Sequence, residues 1–137
     1  MGSVTDGRAS VRRHVRIAAP ADRVWELIGD PARVHEWFPG IVASTVEGNS
    51  RQVTTGSGMV IPETIITNDH IQRRFQYRIT APMVREHLST IDVLDMGDGT
   101  TVVVYAADAD PSTMALVIGG AGGNALRFLR QLVEGDT

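Results

Sequence analysis

From Ile41 to Ala109 apolar residues recur with a period of two, interrupted by turn signals at Gly48-Asn49, Gly56 to Gly58, Asn68-Asp69, Ala81-Pro82 and Gly97 to Gly99. A β-strand is the regular element with that period, so the stretch reads as six strands joined by short connections. Parallel pairing needs a crossover of a dozen or more residues, usually a helix, and none intervenes. The strands must therefore meander antiparallel, with any helices gathered on one face. Alternation is clearest from Ile71 to Ile79. Gln72, Arg74, Gln76 and Arg78 share one face; Ile71, Phe75, Tyr77 and Ile79 share the other, with Arg73 among them.

The flanks are different in kind. Val11, His14, Val15 and Ile17 suggest one further strand, irregular in its alternation. Pro20 then stands where the first turn of a helix accepts proline, and Ala21, Val24, Trp25 and Ile28 follow at helical spacing before Gly29. This spacing makes Trp25 part of a seam against the sheet. Asp30-Pro31 supplies an N-cap and a first-turn proline for a second short helix through about Glu36, ended by Trp37-Phe38-Pro39-Gly40. Pro111 to Glu134 is long enough for a helix covering one sheet face, with Ala125, Phe128, Leu129, Leu132 and Val133 as its apolar stripe. Residues 1 to 10 are polar and small and read as a loose tail, leaving a single domain over 11 to 134.

Composition narrows the function. A chain of 137 residues suits one core, and 42% hydrophobic with 21% charged residues is the balance of a folded globular domain. Its net charge of −3 lacks the basic excess that phosphate backbones demand, so nucleic acid is not expected as a partner. There is no cysteine and hence no thiol nucleophile, disulfide or Cys-ligated metal; every basic residue is arginine, which removes Schiff-base chemistry. The histidines at 14, 35, 70 and 87 lack metal-ligand spacing, so no metal and no cofactor are expected. Gly120-Ala-Gly122-Gly-Asn-Ala125 matches a dinucleotide pattern, but too little chain follows to complete a βαβ unit. No run of about 18 apolar residues marks a membrane span, and a cytoplasmic location is expected.

The order strand, two short helices, six strands and long helix resembles the helix-grip fold of the START-like, birch-allergen-like (SRPBCC) superfamily, in its polyketide cyclase, dehydrase and lipid-transport branch. The resemblance is carried by Pro20-Ala21-Asp22-Arg23-Val24-Trp25-Glu26-Leu27-Ile28 with Asp30-Pro31, then Trp37 with Pro39, Arg51, Gly58, Glu63, Tyr77 and Leu126-Arg127-Phe128-Leu129. It implies an α+β fold in which a curved seven-stranded antiparallel sheet wraps the C-terminal helix around an elongated apolar cavity. It also implies a hydrophobic, polyketide- or lipid-like small molecule as partner. The activity such a fold carries ranges from cofactor-independent cyclase or dehydratase chemistry, through carriage or sensing of a hydrophobic metabolite, to a co-chaperone or toxin–antitoxin interaction module. Oligomeric state is silent in the sequence.

Chemistry in such a cavity belongs to its few polar groups. Glu63 lies within Met59-Val60-Ile61-Pro62-Glu63-Thr64-Ile65-Ile66, so its carboxylate is either paired with Arg51 or Arg73, or free with a raised pKa and able to act as general base or acid. Tyr77 would present a phenol, and His87 on the next strand, sharing its parity with Ser89, is either a proton shuttle or a satisfied core residue. Catalysis, if any, is assigned to Glu63, Tyr77 and His87. Arg73 is either a ligand anchor or a rim residue, Trp37 and Phe38 form either a lid or a hydrophobic plug, and Tyr105 points either inward or outward. Met59, Phe75, Ser89, Ala121, Ala125 and Phe128 complete the expected lining. Gly119 to Gly123 either shapes the cavity by close approach or forms a loop between two shorter helices.

Overall fold

The computed structural model describes residues 7–135. Seven strands form one antiparallel sheet in the order β1-β7-β6-β5-β4-β3-β2. They are β1 (Ala9–Ile17), β2 (Ile41–Glu47), β3 (Ser50–Thr55), β4 (Val60–Asp69), β5 (Arg74–Ile79), β6 (Glu86–Asp95) and β7 (Thr101–Asp110). The period-two stretch thus yields its six strands, and β1 joins beside β7, the last of them. The reading of residues 1 to 10 as a tail falls largely outside the described residues, while Ala9 and Ser10 already belong to β1.

Between β1 and β2 lie α1 (Ala21–Ile28), a 3-10 turn (Pro31–Arg33) and α2 (Val34–Trp37). Ala21, Val24, Trp25 and Ile28 bury the face that their spacing defines, and the Gly29 N–H closes α1 on the Trp25 carbonyl at 2.7 Å. The Trp25 indole N–H donates to His70 Nδ1 at 2.9 Å, tying α1 to the β4–β5 connection. Asp30 caps the next turn by accepting from the Ala32 N–H at 3.1 Å. Pro39 then forbids continuation beyond α2.

Helix α3 (Ser112–Gly135) crosses the sheet and runs unbroken through Gly119 to Gly123, so the loop alternative for this segment does not hold. A Cβ on Gly122 would stand 2.5 Å from the Tyr105 ring and one on Gly119 would stand 2.5 Å from Val11 Cγ1. Their absence lets the helix lie directly on β7 and β1, which offsets the roughly 1 kcal/mol that an interior glycine costs a helix. The buried line of α3 runs through Ala115, Gly122, Leu126, Leu129 and Val133. Ala121 and Phe128 stand roughly a third of a turn off that line, at about 100° per residue, and face solvent. This corrects the placement of Phe128 in the apolar stripe and of both residues in the lining.

The strand expected from Ile71 starts instead at Arg74. Asp69 Oδ1 accepts the N–H groups of Ile71 and Gln72, each at 2.9 Å, and Arg73 turns the chain with a φ of 58°. Ile71 is consequently 91% exposed. Arg73 leaves the inward face altogether and pairs with Asp22 at 2.5 Å on the surface.

Candidate functional site

Cross-strand register brings polar residues of five adjacent strands onto the concave face under α2 and α3. Arg51 on β3 lies opposite Glu63 on β4, Tyr77 on β5 lies between Ile65 and Ser89, and Ile91 on β6 lies opposite Tyr105 on β7. The Arg51 Nε–H donates to Glu63 Oε1 at 2.7 Å and its Nη1 donates to the Pro31 carbonyl at 3.2 Å. The guanidinium carbon sits 5.2 Å from the Phe75 ring centre and 5.0 Å from that of Tyr77, so two aromatic faces stabilise a cation that is only 3% exposed. Of the alternatives for Glu63, the ion pair with Arg51 is the one formed; a free carboxylate and a pair with Arg73 are not. Burial pushes the Glu63 carboxyl up, against the opposing pull of Arg51.

A second network adjoins the first. The hydroxyls of Tyr77 and Tyr105 bond to each other, and Ser89 is the register partner of Tyr77 on β6. Ser89 Oγ also bonds His87 Nε2 at 2.8 Å, while His87 Nδ1 accepts the Ile79 backbone N–H at 2.8 Å. The paired residues of β5 and β6 stop at Tyr77 and Ser89, so the imidazole takes a backbone donor that the splayed strands leave over. Both ring nitrogens are therefore satisfied. Burial is the main cause that lowers the His87 pKa to about 4, with Arg78 acting the same way and Asp108 opposing. Burial likewise raises both phenols, that of Tyr77 well above 10. Tyr105 is resolved as inward, and His87 as a neutral, fully bonded core residue.

The space these groups line is small. Ile28, Val34, Trp37, Phe38, Ile41 and Ile91 close around Arg51, Glu63, Phe75, Tyr77 and Tyr105, leaving a void of about 10 Å³. That volume accommodates roughly one water molecule. The elongated cavity implied by the fold is thus filled here, because the aromatic rings stack into it. The Phe38 ring lies 6.3 Å from Tyr105 and 5.7 Å from Trp37, a plug and not an open lid. Trp37 is 2% exposed, and its indole N–H has no hydrogen-bond partner. Among the described residues, Asn68 Oδ1 is the one other buried side-chain polar atom in that condition.

Met59 sits in the β3–β4 turn, 49% exposed, and with Arg73, Ala121 and Phe128 lies away from this space. Ser89 and Ala125 are buried beside it without lining it. Sequence reasoning missed the contributions of Ile28, Val34, Ile41 and Ile91. Their helical or strand parity marks them as core, but only tertiary packing places them around Arg51. A larger, open recess of about 590 Å³ lies outside, where β5 and β6 splay, bordered by Arg78, Pro82, Arg85 and the His87 edge. Two of its arginines are engaged, Arg85 with Asp110 at 2.5 Å and Arg8 with Glu86 at 3.3 Å. Among the described residues no group of acidic, histidine or cysteine side chains is arranged to hold a metal ion, and no helix is long and apolar enough to cross a membrane.

The profile of the family described as polyketide cyclase / dehydrase and lipid transport matches residues 8–136. The chain belongs to this family. The fold recurs in an uncharacterised protein from Bacillus thuringiensis, 25% identical, with a TM-score of 0.84 over 91% of this chain and 98% of that one. XoxI from Bacillus cereus is 24% identical, with a TM-score of 0.85 over 91% and 95% of the two chains. Norcoclaurine synthase from Thalictrum flavum, solved with dopamine and hydroxybenzaldehyde, is 16% identical with a TM-score of 0.70, covering 98% of this chain and 91% of that one. At that identity the likeness is one of fold. No curated protein matches the chain in sequence. Membership in the family fits the helix-grip architecture and the expectation of a hydrophobic small molecule.

Proposed function

We propose that this chain binds a small, largely apolar molecule bearing a polar oxygen, seated between α2 and the Arg51–Glu63 and Tyr77–Tyr105 pairs. The observation that carries the reading is the Trp37 indole N–H, buried without a partner at the wall of this space. An unmet buried donor costs about 1–3 kcal/mol, and a ligand oxygen would relieve it. Admission requires Phe38 and Trp37 to swing out. The α2 segment has only four residues and is followed by Gly40, whose φ of 92° allows a hinge other residues would resist. A carbonyl held against the indole would be polarised, with the carboxylate of Glu63 on the same wall. Enolisation or dehydration of a polyketide-like ketone is the chemistry that this arrangement suits.

The test uses 2-acetylnaphthalene and larger aryl ketones as probes in thermal-shift and calorimetric titrations. A probe at about 100 times its Kd should add ~2.7 kcal/mol to the unfolding free energy, and Trp37→Phe should weaken binding about tenfold. Stabilisation by no member of the series would refute the reading. A second reading, an interaction module without ligand, is favoured by the filled interior and by Val117 and Phe128 on the solvent face of α3, 60% and 41% exposed. It predicts concentration-dependent association in sedimentation and no response to the ketones.

A further inference from the structure

We propose that the open recess where β5 and β6 part is a second binding site, separate from the interior, which takes a monocarboxylate with a short alkyl body and holds its charge on Arg78. Pairing between the two strands ends at Tyr77 and Ser89, and the Ile79 N–H beyond it is spent on His87 Nδ1. From there the strands diverge. The connection between them turns at Ala81 to Val84, where the Val84 N–H donates to the Ala81 carbonyl at 3.2 Å. The gap holds about 590 Å³, within the roughly 300–1,000 Å³ of small-molecule sites. Ile79, Ala81, Pro82, Val84 and Leu88 give it an apolar border.

The charges on that border are unequal. Arg8, Arg78 and Arg85 stand against a single acid, Glu86. Arg8 takes Glu86 at 3.3 Å, and Arg85 donates from Nε and Nη2 to Asp110 at 3.0 and 2.5 Å. Arg78, exposed on β5 opposite Thr64 of β4, has no hydrogen-bond or ion-pair partner among the described residues. A guanidinium presents a planar fork of donors that matches a carboxylate. One free cation suits one negative charge. Asp108 lies opposite Leu88, outside the border, and its carboxylate accepts the Ser10 hydroxyl; the charge it keeps opposes a second negative charge on the ligand. The recess therefore suits a carboxylate better than a phosphate monoester, which carries close to two charges at neutral pH. An ion pair so open to water contributes little alone, and the apolar border must supply the rest. The alkyl chain lies against that border while the head meets Arg78.

The probes are octanoate, 1-octanol and octyl phosphate, titrated into the full chain at neutral pH and followed in the ¹H–¹⁵N correlation spectrum. Octanoate should shift the amide signals of Ile79, Thr80 and Leu88 and leave the Trp37 indole signal in place. In Arg78→Gln, a change at an exposed position, the affinity ratio of octanoate to octanol should fall about fivefold, the most that an open ion pair gives. Glu86→Gln releases Arg8 and should raise that ratio about two- to threefold, with a larger gain for octyl phosphate. Raising the salt from about 50 to 500 mM should shrink the ratio in the native chain. A ratio unchanged in folded Arg78→Gln overturns the inference, as does octyl phosphate binding the native chain more tightly than octanoate. Octanoate shifting the Trp37 indole with a silent recess also overturns it, because the acid has then entered the interior. The aryl ketones test the interior site separately, so each of the two sites can fail alone.

Discussion

Acidification should unlatch the β5–β6 junction, and the magnitude follows from His87 alone. Folded, the imidazole titrates near 4 instead of its ordinary 6.5, because it is buried at 4% exposure against Tyr77 of β5; Asp108 on β7 pulls the value back up and Arg78 pushes it down by less, and burial outweighs both. A depressed base binds its proton in the unfolded chain first. Between pH 6.5 and 4 the unfolded state therefore holds one more proton than the folded state, and stability falls as pH falls, by ~1.4 kcal/mol per pH unit. Across the whole interval the loss is about 3 kcal/mol, complete below pH 4 and absent above pH 7. Glu63 acts in the opposite sense, because burial raises its folded pKa and the folded state takes up that proton first. Comparing the native chain with His87→Asn cancels Glu63 and every other shared group. Urea unfolding at half-unit steps from pH 7 to 4 should show the native chain losing about 3 kcal/mol more than the variant. Parallel curves for the two proteins would refute the account of His87 as a neutral, bonded core residue.

Three further outcomes follow from the packing. Arg51→Met leaves the Glu63 carboxylate buried alone and should cost 3–5 kcal/mol, roughly, in urea unfolding, whereas Arg51→Met with Glu63→Leu should recover most of that loss. Gly122→Ala forces a methyl against the Tyr105 ring and should destabilise by about 1–2 kcal/mol despite the better helix propensity; a stabilised variant would show that α3 does not lie on β7 as described. Tyr105→Phe removes one hydroxyl from the buried chain and should lower stability by about 1–2 kcal/mol, with a matching downward change in the ultraviolet titration midpoint of Tyr77 once its bonded neighbour is gone.

The architecture was legible because periodicity reports burial, and burial decides the elements. Alternation from Ile41 to Ala109 found six strands, and the spacing of Ala21, Val24, Trp25 and Ile28 found α1 and its buried face. The failures are of phase and local competition. Ile71 alternates correctly with Phe75, yet Asp69 captures its N–H and that of Gln72, so a turn displaces the strand and carries Arg73 outward. Phe128 shares a heptad-like spacing with Leu132, but the glycines at 119 and 122 set which side of α3 approaches the sheet, and their lack of a side chain hides them from an apolar count. For the site, Arg51 opposite Glu63 was among the alternatives, because the resembled fold places Arg51 on the strand neighbouring Glu63. The hydrogen bond from Ile79 to His87 was not, since it depends on where two strands part company.

The polar interior is costly, and that cost is itself informative about use. A pair of ions under 6% exposed typically adds nothing that apolar side chains of the same volume would not, and an unpartnered indole N–H subtracts. Had the concave face been selected for stability alone, leucine and phenylalanine would serve at positions 51, 63 and 37. The residues present instead gather a cation, a carboxylate, two mutually bonded tyrosine hydroxyls and an unpartnered indole N–H around a space that Phe38 borders. Phe38 contributes a ring and no hydrogen bond, so the ligand proposed above, with an apolar body and an acceptor oxygen, would replace it with a gain at the indole. Under the proposed function, the filled state would be the resting form of the binding site, with the Phe38 ring standing in for the ligand's.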